Sequence, residues 1–228
     1  MTTAPALRLL DLRFDLPVTY DQIPQWRGAC AAWSGLEHDI FHNHEADGAV
    51  KYRYPLVQYR RTRGAAAIFA VNEGIEAVSG LLQQNEWTVQ WQNQPRALHL
   101  AQMQMDTQTL GLAAERRHYR IQRWLALNDD NYAEYRRLPT FRERLALLDR
   151  TLSANLLALC GGLGWRIPRR FEADITQVTQ IQPAKAHNLE MIVFDVEFST
   201  DLILPSGLGI GKSSSRGFGV LQRLKKAL

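Results

Sequence analysis

Tyr54-Pro-Leu-Val-Gln-Tyr-Arg-Arg-Thr-Arg-Gly-Ala-Ala-Ala-Ile-Phe-Ala-Val71 holds two β-like runs back to back, Tyr54 to Tyr59 and Ala65 to Val71. Arg60 to Gly64 between them has hairpin length and ends in glycine, which predicts an antiparallel pair. Upstream, Leu10, Leu12 and Phe14 alternate with Asp11, Arg13 and Asp15, the period of a half-buried strand, and Pro17 ends the run. Thr19 and Gln22 have capping-box spacing, and Ile23, Trp26, Cys30 and Trp33 follow at helical intervals. Downstream, Ile75, Val78 and Leu82 predict a short helix, and Arg96 to Ala101 a strand. Strand, helix, two paired strands, helix, strand is the βαββαβ order of a ferredoxin-like (RRM-like) unit.

The second half starts the same way. Tyr119, Ile121, Arg123, Leu125 and Leu127 predict one face of a strand, with Arg120, Gln122 and Trp124 on the other. Asn128-Asp-Asp-Asn131 suits a helix opening. Phe141, Leu145, Leu148, Leu152, Leu156 and Leu159 then recur every three or four residues, an amphipathic helix expected to stop at Gly161-Gly162. Strands are expected over Phe171 to Ile181, over Met191 to Phe198, and from Phe218 to about Leu224. Before the last strand, where a second helix belongs, there is only a glycine-rich segment. The expected fold is α+β: two tandem ferredoxin-like domains, residues 1–108 and 109–228, the second with a reduced final helix.

Composition fits such a fold. Of 228 residues, 46% are hydrophobic and 22% charged, which argues against a disordered or fibrous chain. Ala65 to Val71 is the longest wholly apolar run and is far short of the roughly 20 residues that span a bilayer. No signal peptide is visible, and Cys30 and Cys160 alone cannot build a disulfide framework, so a cytoplasmic location is expected. The net charge of +4 is modest, but its distribution is not even. Gly48 to Asn72 lacks acids and carries Lys51, Arg53, Arg60, Arg61 and Arg63; Leu202 to Leu228 lacks them too and carries Lys212, Arg216, Arg223, Lys225 and Lys226. Segregated basic segments suit either a polyanion or two solvated edges.

Two constellations could carry chemistry. Gly207-Leu-Gly-Ile-Gly-Lys-Ser-Ser-Ser-Arg-Gly-Phe-Gly219 interleaves five glycines with Lys212, Ser213, Ser215 and Arg216. Backbone N–H groups plus cations can hold a phosphate, although a flexible hairpin tip would also be glycine-rich. A nucleotide-binding P-loop is excluded, because Ser206 stands where its first glycine belongs. The second constellation is His38-Asp-Ile-Phe-His42-Asn-His44, followed by Lys51-Tyr-Arg-Tyr54. The histidines permit a metal, proton transfer, or no catalytic duty; proton transfer fits best, because no HExxH pattern is formed. Tyr59-Arg-Arg61 and the Arg116, Arg117, Arg120, Arg123 series share the basic and aromatic texture suited to RNA.

Gly209 to Gly219, at the end of a doubled ferredoxin-like chain, resembles the C-terminal glycine-rich loop of CRISPR-associated repeat-RNA (pre-crRNA) endoribonucleases of the RAMP superfamily. Phe41-His-Asn-His44 followed by Tyr52-Arg-Tyr-Pro-Leu-Val-Gln-Tyr59 resembles the N-terminal half of one branch of that family. The resemblance implies cleavage of CRISPR repeat RNA without metal or cofactor, by 2′-hydroxyl attack on the adjacent phosphate, leaving 2′,3′-cyclic phosphate and 5′-hydroxyl ends. It implies His42 or His44 as general base or acid, with Tyr52 and Lys51 assisting at the phosphate. Gly209, Gly211, Lys212, Ser213, Ser215, Arg216, Gly217 and Gly219, with Arg53, would bind the RNA. Repeat RNA, other CRISPR effector subunits and a second copy of the chain are the partners it suggests, with no membrane. The alternative within the superfamily is a non-catalytic subunit that binds CRISPR RNA through the same loop.

Overall fold

The computed structural model describes residues 4–33, 54–83, 87–186 and 189–224. Two compact units emerge: Met1–Ala6 with Thr109–Ser214 and Phe218–Leu228, and Leu7–Gln108 with Ser215–Gly217.

In the N-terminal unit, β1 (Ala6–Pro17), α1 (Ile23–Trp33), β2 (Val57–Thr62), β3 (Ala65–Val71) and α2 (Glu73–Leu82) follow in order, then β4 (Thr88–Trp91), β5 (Gln94–Ala97) and β6 (Leu100–Thr109). The sheet order β2-β3-β1-β6 is that of a ferredoxin-like unit. Leu10, Leu12, Phe14 and Leu16 of β1 enter the core, where Ile23, Trp26 and Cys30 of α1 and Ile75, Val78 and Leu81 of α2 meet them. Leu12 lies opposite Ile68 of β3, which in turn lies opposite Tyr59 of β2. Gln22 forms the expected capping box on a 3-10 turn, Tyr20–Gln22, that runs into α1: its side-chain oxygen accepts from the Thr19 N–H at 2.8 Å.

Three expectations here need correction. The β2–β3 connection is not Arg60 to Gly64 but only Arg63 and Gly64, at φ 51° and 84°. Two consecutive left-handed residues suit the twist of a tight hairpin, so Arg60, Arg61 and Thr62 belong to β2. Tyr54 to Leu56 precede the strand. The strand expected over Arg96 to Ala101 splits: β5 pairs with β4 as a separate hairpin around Gln92 and Asn93, also at positive φ, and β6 begins at Leu100.

The C-terminal unit contains β7 (Gly111–Trp124), α3 (Asp129–Arg137), α4 (Phe141–Gly162), β8 (Ala173–Ala186), β9 (Leu189–Ile203) and β10 (Val220–Arg223). Its order β10-β7-β9-β8 repeats the first sheet's topology, with β10 in the place of the fourth strand. Between β9 and β10 the expected missing helix is reduced to a 3-10 turn at Ser214–Arg216. Phe194, Val196 and Phe198 of β9 are fully buried, Val196 and Phe198 lying opposite Ile121 and Tyr119 of β7, and Leu148, Leu152 and Leu156 of α4 are buried too.

The acidic turn caps α3, with Asn128 Oδ1 accepting from the Asn131 N–H at 2.8 Å, and α4 has its own capping box between Thr140 and Glu143. The helix stops at Gly161-Gly162 as expected. Just past that end the chain closes in a Schellman arrangement, with Gly164 at φ 79° and the Trp165 N–H donating to Cys160 O at 2.8 Å. Trp124 is buried rather than turned away from Ile121. The pairing with β9 shifts between Ile121 and Trp124, and Arg123 sits at φ 52°, so a bulge rotates Trp124 into the core. Among the described residues no helix is long and apolar enough to cross a membrane.

Candidate RNA-binding loop

The segment between β9 and β10 is a packed structure, not a loose tip. The Gly207 N–H donates to Leu221 O at 2.8 Å, Leu221 N–H to Leu208 O at 2.9 Å, and Ile210 N–H to Gly219 O at 2.9 Å. With the Gly209–Val220 bridge they form a narrow ladder extending β10. Leu208 and Ile210 are buried along it, as is Phe218 on the returning strand.

Two glycines are dictated by close approach. Gly211, at φ 82°, lies over the Trp124 indole and the Asn155 side chain; a Cβ there would stand 2.6 Å from Asn155 Oδ1 and 2.8 Å from Trp124 Nε1. Those two groups are themselves joined, Nε1–H donating to Oδ1 at 3.0 Å. Gly219, at φ 67°, has no room for a Cβ because the Ile210 carbonyl fills that space. The ladder and these contacts hold the short tip, residues 211–218.

On that tip Lys212 is exposed, Ser213 and Ser215 are partly exposed and Ser214 is buried. Arg216 is partly exposed, and its guanidinium is held below the ordinary arginine value by burial and by the charge of Arg27 on α1. Like charges brought together in a partly dry place favour an incoming anion. Sequence reading missed Arg27, which stands alone on its helix and comes near Arg216 only through the fold. Gly209, Gly217 and Gly219 are buried and shape the loop instead of exposing their N–H groups as a row. Of the loop residues expected to bind RNA, Lys212, Ser213, Ser215 and Arg216 are thus the ones a ligand can reach.

His42, His44, Lys51, Tyr52 and Arg53 lie outside the described residues, as does His38. The question of a metal at the histidines lies there too; among the described residues no three His, Cys, Asp or Glu side chains group to hold one.

Several arginines expected to add to a basic surface have structural work. Arg60 is buried in β2, donates to Asp11 Oδ2 at 2.7 Å and covers the Phe69 ring at 4.2 Å. Arg61 Nε donates to the Val18 carbonyl at 2.9 Å. Arg116 pairs with Glu172 and Asp174, and Arg120 with Glu197. Tyr59 is buried as well, so of the Tyr59-Arg-Arg61 texture only Arg61 is exposed.

Comparison with known proteins adds the family. Residues 5–109 match the model of the Cas6b N-terminal domain and residues 111–224 that of the Cas6b C-terminal domain. An uncharacterized protein of Methanocaldococcus jannaschii is 30% identical over 106 residues, covering 46% of this chain and 71% of that protein. A crystal structure of Cas6b is 24% identical with a TM-score of 0.85, over 96% of this chain and all of that one. A second, described as a CRISPR RNA processing endoribonuclease Cas6b, is 22% identical with a TM-score of 0.73 over the same shares. A type IV Cas6 crRNA endonuclease, Csf5, is 13% identical with a TM-score of 0.61 over 97% of this chain and all of that one.

Proposed function

The chain belongs to the Cas6b family, and from that premise we propose that it is an endoribonuclease that cuts CRISPR repeat RNA to mature crRNA. The observation that carries this reading is the match of both halves to the family's two domain models, together with a glycine-built loop that presents Lys212 and Arg216. Residues 1–108 and 109–228 are the two domains of the proposed enzyme, which works in the cytoplasm with repeat RNA and other CRISPR effector subunits as its partners.

The chemistry needs no metal or cofactor. A general base, His42 or His44, takes the proton of the 2′-hydroxyl as O2′ attacks the adjacent phosphorus. The O2′–P bond forms, the P–O5′ bond breaks, and the other histidine, as the general acid, gives a proton to O5′. Lys51 and Tyr52 stabilise the extra negative charge on the phosphorane oxygens. The products are a 2′,3′-cyclic phosphate and a 5′-hydroxyl. Arg53, Lys212, Ser213, Ser215 and Arg216 hold the RNA through its phosphates, which fixes register rather than sequence. Gly209, Gly211, Gly217 and Gly219 serve that binding by letting the loop pack.

The experiment is end-mapping of repeat RNA after incubation with the purified protein. A cyclic phosphate on the upstream fragment supports the reading, and a 3′-hydroxyl with a 5′-phosphate downstream overturns it.

A further inference from the structure

Between α3, α4 and the glycine-rich loop, the C-terminal unit has a cleft of about 420 Å³, open to solvent. That volume falls in the usual range for small-ligand sites, about 300–1,000 Å³. Its floor is apolar, formed by Leu125 and Leu147, and its walls carry the side-chain amides of Asn128, Asn131 and Asn155. Two of those amides are already oriented. Asn155 Oδ1 accepts from Trp124, and Asn128 Oδ1 accepts from the Asn131 backbone N–H. What Asn128 and Asn155 offer a ligand is therefore their Nδ2–H donors, while Asn131 can offer donor and acceptor together. At the rim Arg150 is answered by Glu134 at 3.1 Å, whereas Lys212 stands exposed on the loop tip.

Apolar side chains, three asparagine amides and one cation lining an open cleft fit a single component of RNA: an unpaired nucleotide. We propose that this cleft is a nucleotide subsite. It takes one splayed-out base whose edge carries carbonyl or ring-nitrogen acceptors, with its phosphate against Lys212. Unpaired bases in RNA are read by hydrogen bonds along such edges, and phosphate contacts only position them. No aromatic ring lines the cleft among the described residues, so the base is held by its edge rather than by stacking. The open rim lets a continuous strand enter and leave. This subsite rests on the RNA-processing reading above, and adds to it a place where the C-terminal unit senses base identity.

The test does not depend on cleavage. The asparagine side-chain amides are observed by NMR in the full chain while the four ribonucleoside 5′-monophosphates and ribose 5-phosphate are titrated separately. At least one nucleotide should shift the Asn128, Asn131 and Asn155 amide signals with a Kd of about 1 mM, at least tenfold tighter than ribose 5-phosphate. Ala154 is exposed on α4 and lines the cleft, so Ala154→Trp should fill it and abolish the shifts, while Leu157→Trp, outside the lining, should not. No shift with any nucleotide overturns the subsite, and equal binding of ribose 5-phosphate reduces it to an anion contact and also overturns it. Either result would leave the cleavage reading standing, whereas an inactive enzyme with an intact nucleotide response would overturn the cleavage reading alone.

Discussion

The Trp124 indole N–H donates to Asn155 Oδ1 at 3.0 Å, tying the end of β7 to α4 beneath Gly211 of the glycine-rich loop. The loop's backbone passes so close to this pair that a methyl group cannot be inserted. Gly211→Ala should therefore lower stability by about 1–3 kcal/mol, from the strained φ together with the collision. RNA affinity should fall with it, because the tip is displaced. Urea unfolding and filter binding on the same preparation check both effects; a Gly211→Ala protein as stable as wild type would mean that the loop is not docked there.

Lys212→Ala and Arg216→Ala should each weaken RNA binding across all sequences. Each should reduce the slope of log affinity against log salt by about 1, the signature of one lost phosphate contact. A titration series from low to high salt reads this directly. Arg27→Ala should weaken binding less than Arg216→Ala, because Arg27 acts on the RNA through the field it adds to Arg216. An unchanged salt slope in Arg216→Ala would remove that residue from the interface.

Arg60 tests the distinction between basic residues that bind and those that build. Its guanidinium is buried, and Asp11 is its ion-pair partner at 2.7 Å. Asp11→Ala leaves that charge without its counter-ion and should destabilise the N-terminal unit by about 1–3 kcal/mol. The RNA salt slope should stay as in wild type. A changed slope with unchanged stability would place Arg60 on the RNA-binding surface after all.

The Asp149 carboxylate is raised above the usual aspartate range, chiefly by burial, although it accepts the Ile175 N–H at 2.8 Å. A carboxyl whose folded value exceeds its unfolded one binds protons more readily when folded, so its ionisation at neutral pH opposes folding. Asp149→Asn keeps an acceptor for Ile175 and removes the charge. Its Tm should exceed that of wild type at pH 7. The difference should shrink as pH falls through the raised value and wild type becomes neutral itself. A Tm gap independent of pH would contradict the assignment.

What was legible in the sequence follows from where side chains must choose a face. The alternation of Phe194, Val196 and Phe198, and the spacing of Leu148, Leu152 and Leu156, announce their elements because one face is buried. The strand β6 gives no such signal. It is an edge strand whose Gln102, Met103, Gln104 and Met105 are all exposed, so no alternation marks it. Arg123 and Trp124 misled for the opposite reason: a single left-handed residue reverses which face a strand presents, and periodicity carries no trace of it. In the loop the glycines and Lys212 were readable locally. The contribution of Arg27, like the docking of Gly211 on Trp124 and Asn155, depends on partners brought together only by the fold.

The histidine assignment is tested by separating chemistry from affinity. His42→Ala and His44→Ala should each lower the single-turnover cleavage rate by about 10²–10⁴-fold, the usual contribution of a general acid or base. RNA affinity should change by less than about tenfold, since the histidines act on the reacting atoms while other cations hold the phosphates. Normal cleavage in both variants would remove the histidines from the mechanism.

The central claim, strand cleavage by the RNA's own 2′-hydroxyl, is tested most directly with a repeat RNA carrying one 2′-deoxy nucleotide immediately upstream of the cut, assayed in EDTA. The account predicts full cleavage of the all-ribose RNA in EDTA and none of the deoxy-substituted RNA at that position, with both bound equally well. Cleavage of the deoxy-substituted RNA, or a requirement of the all-ribose RNA for added divalent metal, would contradict it.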